Sequence, residues 1–112
     1  MNSSIVIALP KIDDAKKIRT ILNRHGFSVA AVCSTASTAL ASMSELDGGI
    51  LICGYKLTDR YYRDVLEDIP SYFEMLLLAS GRVIAEAPTS VLTVEMPMKV
   101  SDLVNTVDMM LS

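Results

Sequence analysis

Five short aliphatic runs alternate along this chain with stretches of helical periodicity, and that alternation limits the fold more than any other feature. The runs are Ile5–Leu9, Ser28–Cys33, Ile50–Cys53, Met75–Ala79 and Ser90–Val94, each bounded by Gly, Pro, Ser or Asp. Ala15, Ile18, Ile21 and Leu22 form a first helical stripe, ended at His25-Gly26, where Gly26 suits a left-handed C′ position. Ala36, Ala39, Leu40, Met43 and Leu46 form a second stripe. Thr58 can cap a third segment that buries Tyr62, Val65, Leu66 and Ile69 before Pro70 stops it. Between Ala79 and Ser90 only Arg82–Glu86 can be helical, about one turn. The last stripe is Val100, Leu103, Val104, Val107 and Leu111. Alternating βα units with right-handed crossovers predict an α/β fold: a parallel sheet with helices on both faces and a shortened fourth helix. One domain over residues 1–112 is expected.

A hydrophobic fraction of 51% provides a core, and with no Trp and few aromatics that core must be aliphatic, supplemented by Met. The net charge of −3 gives no support to nucleic-acid binding by this segment. Five of the ten cations (Lys11, Lys16, Lys17, Arg19, Arg24) fall in the first helix, which reads as a solvated face rather than a docking patch. No apolar run approaches the roughly 20 residues of a membrane span, so no membrane contact is expected. The amino terminus has no basic n-region, and with two cysteines read as reduced thiols this predicts a cytoplasmic protein. His25 is the only histidine and no ligand cluster has suitable spacing, so neither a metal nor another cofactor is expected. His25 itself reads as a helix-terminal residue facing the dipole.

The octet Ile50-Leu51-Ile52-Cys53-Gly54-Tyr55-Lys56-Leu57 carries the functional signal. Its apolar first half reads as a strand buried on both sides, and Gly54 stands at the carboxyl end, where open α/β sheets place their chemistry. With Thr58-Asp59 it resembles the phosphoacceptor turn of response-regulator receiver domains, whose aspartate is replaced here by Gly54. The resemblance runs from Ile5 to Leu111 and implies a flavodoxin-like (CheY-like) sheet of five parallel strands in the order 2-1-3-4-5. It also implies that Cys33 and Cys53 end strands separated by a third, roughly 10 Å apart and beyond disulfide reach.

Other positions of the family's site are altered too. The acidic pair that binds magnesium is matched by Leu9 and Pro10, which cannot coordinate a hard cation. Asp13-Asp14 read instead as first-turn residues complementing the helix dipole. The phosphoryl-contacting hydroxyl is matched by Ala79, with Ser80 one step on, and the lysine by Met96, ahead of a Pro97 that is often cis in the family. Phosphoryl transfer is positioning plus charge stabilisation around an oxygen nucleophile. With nucleophile, metal ligands, hydroxyl and lysine absent together, the expected module is a non-enzymatic pseudo-receiver. Leu9, Pro10 and Met96 are expected to fill the old pocket, with Tyr55 folding over it and Tyr61-Tyr62 packing in the core.

The phrases ALPKIDDAKKIR, HGFSVAAVC, GGILICGYKL, FEMLLLAS and EMPMKVSDLVNTVDMM further resemble the amino-terminal domains of ANTAR-type transcription antitermination regulators. That resemblance implies RNA contact only through a carboxyl-terminal helical domain outside this sequence, and a regulatory role through a protein partner or homodimer. Met98 reads as a core gap-filler. Thr106, Met109 and Met110, off the inward stripe of the last helix, are the candidate interface. Two alternatives stay open: a small-molecule sensor using the old pocket, and an orthodox two-component phosphorelay receiver, against which the residues speak.

Overall fold

The computed structural model describes residues 4–112. Its sheet is built from β1 (Ser4–Ala8), β2 (Val29–Cys33), β3 (Gly49–Gly54), β4 (Phe73–Ala79) and β5 (Leu92–Glu95), in the order β2-β1-β3-β4-β5 with every pair parallel. Parallel strands need crossovers, and the helices α1 (Ile12–Arg24), α2 (Ala36–Ser44), α3 (Tyr62–Asp68), α4 (Gly81–Ala85) and α5 (Val100–Leu111) supply them. This is the expected flavodoxin-like architecture, with a fourth helix of five residues.

Strand alternation sorts the aliphatic side chains into two cores. Val6, Ala8, Leu51, Cys53, Met75 and Leu77 pack against α2 and α3 through Ala39, Met43, Tyr62 and Val65. Ile5, Ile7, Ile50, Ile52, Leu76 and Leu78 pack against α1 and α5 through Ala15, Ile18, Leu22, Leu103 and Val107. The central strands are covered on both sides, which is why their sequences read as unbroken apolar runs. Met98 packs against the second core, as a gap-filler would. Ala8 pairs with both Cys33 and Cys53, so a full strand separates the two buried thiols.

Local chemistry fixes the helix ends. Asp13 and Asp14 occupy the first turn of α1 and Arg24 the last, each favourable to the dipole. Gly26 comes next with φ +87°, and His25 Nδ1 donates to the Ile21 carbonyl. Thr35 caps α2, accepting from the Thr38 N–H. Ile69 is extended ahead of Pro70, as the proline ring requires, and α3 stops there.

Several expectations need correction. Lys11 precedes α1 as its N-cap and is not within the helix. Thr58 does not cap α3: its hydroxyl donates to Ser34 O, because residues 57–60 close a tight turn (Leu57 N–H to Arg60 O, 2.8 Å) before the helix can start at Tyr62. Val100, the first residue of α5, is exposed, since the helix approaches the sheet only from Leu103 onward. Tyr62 is buried as expected, whereas Tyr61, its N-cap neighbour, is exposed.

The entry to β3 has the least room of any glycine site. A Cβ on Gly49, with φ +150°, would sit 1.8 Å from Ser4 O, because β3 is wedged there between β1 and the chain entering β4. Gly49→Ala is expected to cost roughly 3 kcal/mol and lower Tm by more than about 10 °C in a thermal melt. Gly26→Ala, where nothing lies within 4 Å, should cost only about 1–2 kcal/mol for its positive φ.

Candidate functional site

The carboxyl ends of the strands form the crevice, and backbone hydrogen bonds hold its rim. Leu9 N–H donates to Cys33 O (3.1 Å) and Met96 N–H to Ala79 O (2.8 Å), extending the pairing one residue past β1 and β5. Gly54 closes β3 fully buried, on the α1/α5 side of the sheet. A Cβ there would meet Leu9 Cδ2 at 3.1 Å and Pro10 Cδ at 3.4 Å. Thus Leu9, Pro10, Gly54 and Met96 come together. Ala79 does not join them: alternation along β4 turns it into the α2/α3 core, and Leu78 takes its place beside Gly54. The Met96-Pro97 peptide is cis.

The expected filling of this pocket does not occur. Leu9 is buried, but Met96 is 41% exposed and forms a wall, leaving a concavity of about 530 Å³. Its apolar lining is Leu9, Pro10, Ile18, Gly54, Leu78 and Met96, with Asp14, Lys17, Tyr55 and Lys56 completing it. Tyr55 does not fold over Gly54. Its ring lies 5.3 Å from Tyr61 in an edge contact and 6.0 Å from Tyr62, because the turn brings those residues back beside it. Beyond Tyr55, towards the short α4, a second concavity of about 430 Å³ lies between the tyrosines, Arg63 and Arg82. Arg63 donates to the Glu86 carbonyl across it.

Burial pushes the Cys53 thiol up to about 12, so it is an unreactive core side chain. Its Sγ–H donates to Gly54 O at 3.3 Å. Among the described residues no group of His, Cys, Asp and Glu is placed to hold a metal ion, and no helix is long and apolar enough to cross a membrane.

One site residue was not anticipated. Asp59 reaches from the β3–α3 turn to the start of α2 and accepts from the N–H groups of Ala36 (2.7 Å) and Ser37 (3.2 Å). Those amides, Ala36 foremost, hold its carboxyl below the ordinary carboxylate value. Thr58 reinforces the link through Ser34 O, so the turn after Gly54 is tied to the neighbouring loop. Its signal was only a polar turn residue, since the partners lie 23 residues apart.

No protein-family model and no curated protein matches the chain. Solved structures do match. The response regulator PhyR from Brucella abortus is 16% identical over 99% of this chain and 48% of its own, with a TM-score of 0.82. A CheY-like receiver domain from Methylobacillus flagellatus is 12% identical over 98% of this chain and 99% of its own, with a TM-score of 0.81. A member of a family of streptococcal redox sensors evolved from two-component response regulators is 16% identical over 98% of this chain and 51% of its own, with a TM-score of 0.81. The chain therefore spans about half the length of PhyR and of the redox sensor, and nearly all of the isolated receiver. It has the receiver fold.

The Asp59 link has a pH signature. A lowered folded-state pKa gives stability that is present above the unfolded value and lost as pH falls through the folded one. Asp59→Asn should therefore destabilise by about 1 kcal/mol or less at pH 7, the side chain being exposed. The difference from wild type should shrink below about pH 4 in denaturant titrations.

Proposed function

We propose that this chain is a receiver-like signalling module that works without phosphorylation, through protein contacts. The observation that carries the proposal is Gly54: no nucleophile stands at the carboxyl end of β3, and Leu9, Pro10, Leu78 and Met96 are its neighbours. None of these supplies the carboxylates a magnesium ion needs or the cation that would balance a phosphoryl group. The absence of a carboxylate cluster beside Gly54 also suits the fold, because such a cluster without its metal would repel itself. Ala79, on the opposite face, adds no hydroxyl. The streptococcal protein, described as belonging to a family of redox sensors evolved from response regulators, supports the idea that the fold can serve other kinds of sensing.

The resemblance of five sequence phrases to ANTAR-type regulators supports placing the module in an RNA-binding antiterminator, with RNA contacted by a further helical domain. Within this chain the surface suited to a partner is the outer side of α5 and the β5 edge. Met109 is 59% exposed and Leu92 and Val100 are exposed beside the sheet's edge strand. Of the other interface candidates, Met110 packs partly against the core. Thr106 donates its hydroxyl to Asp102 O, which leaves Met109 as the apolar contact.

Incubation with acetyl phosphate and Mg²⁺ should leave the intact mass unchanged, and Gly54→Asp should not restore labelling. The new carboxylate would press on the apolar Leu9, and its desolvation should raise its pKa and leave the variant no more stable than wild type. Mg²⁺-dependent labelling of either protein would refute the proposal. Sedimentation should show weak self-association that Met109→Glu abolishes, whereas a strictly monomeric wild type would remove the homodimer.

A further inference from the structure

We propose that the concavity at Gly54 binds a small amphipathic carboxylic acid: an apolar tail with one anionic head. This stands independently of the protein-contact reading. Its volume of about 530 Å³ lies within the range of small-molecule sites. Its floor is Leu9, Ile18, Gly54 and Leu78, all buried, with Met96 as one wall. Such a floor offers a tail dispersion and desolvation but no side-chain hydrogen bond, so sugars and other polar ligands would lose their water without replacement.

The charged groups lie only at the rim, where Lys17 and Lys56 oppose Asp14, a balance of one positive charge. The one ion pair among the described residues is Arg60–Asp68, so neither lysine is engaged by a described carboxylate; Lys56 Nζ lies over the Tyr61 ring, 5.2 Å from its centroid, and would turn from it to meet the head. A monoanion matches that balance, whereas a cationic amphipath would meet two lysines. Gly54 gives the site its depth, because any side chain there would point at Leu9 and Pro10 and occupy the space the tail needs.

Octanoate and octylammonium, one tail with opposite heads, serve as probes in amide NMR titrations of the whole chain. Octanoate should give saturable shifts centred on Ile18, Gly54 and Met96, and octylammonium should bind several-fold more weakly. Gly54→Val should abolish the octanoate response with spectral dispersion retained. Lys17→Glu/Lys56→Glu, both on exposed side chains, should weaken octanoate by roughly tenfold and reverse the preference. This double variant decides the matter if Gly54→Val fails to fold. Absence of saturable shifts, shifts centred instead on Tyr61 and Arg82, or equal binding of the two heads would overturn the proposal.

Discussion

Strand β3 hydrogen-bonds to β1 on one side and β4 on the other, and helices cover both of its faces. Two flanking strands and two covered faces leave its side chains no solvent, and its sequence answers that demand. Ile50, Leu51, Ile52 and Cys53 each have 1% exposure or less, so every side chain of its interior contributes to one core or the other. Glycine stands at both ends for different reasons. Gly49 lets the strand pass against Ser4, where no side chain fits, and Gly54 ends it without projecting anything into the crevice. Without that strand the two cores would lose their common wall.

The turn after Gly54 is tightly specified although no charge chemistry requires it. Leu57 is buried, Thr58 binds the β2–α2 loop, Asp59 binds the first turn of α2, and Tyr62 N–H returns to Tyr55 O at 2.9 Å. Backbone hydrogen bonds and capping thus hold it. The crevice keeps the shape of the fold while its floor is apolar and its charged groups are Asp14, Lys17 and Lys56.

Most of the fold was legible in the sequence because its signals are local. Aliphatic runs marked the strands, a proline and a glycine marked helix ends, and the short interval before Ser90 left room for only one turn at α4. Strand order came from resemblance. The site was less legible. Leu9, Pro10, Gly54 and Met96 do converge, but the family resemblance put Ala79 with them when alternation along β4 turns it away. Met96 was expected to fill the crevice because apolar side chains usually bury themselves; held by its N–H at the end of the edge strand, it stays partly exposed. Asp59 acts across 23 residues, a distance no periodicity reports.

A phosphorylation-independent module, as proposed, should have no affinity for a phosphoryl group or its metal in the crevice beside β3. Titrating Mg²⁺ with beryllium fluoride into isotope-labelled protein, and following the amides of Gly54, Tyr55, Ala79 and Met96, tests this without covalent chemistry. The account predicts that none of these resonances moves beyond the salt control. Saturable shifts at those amides that need both magnesium and beryllium fluoride would contradict it.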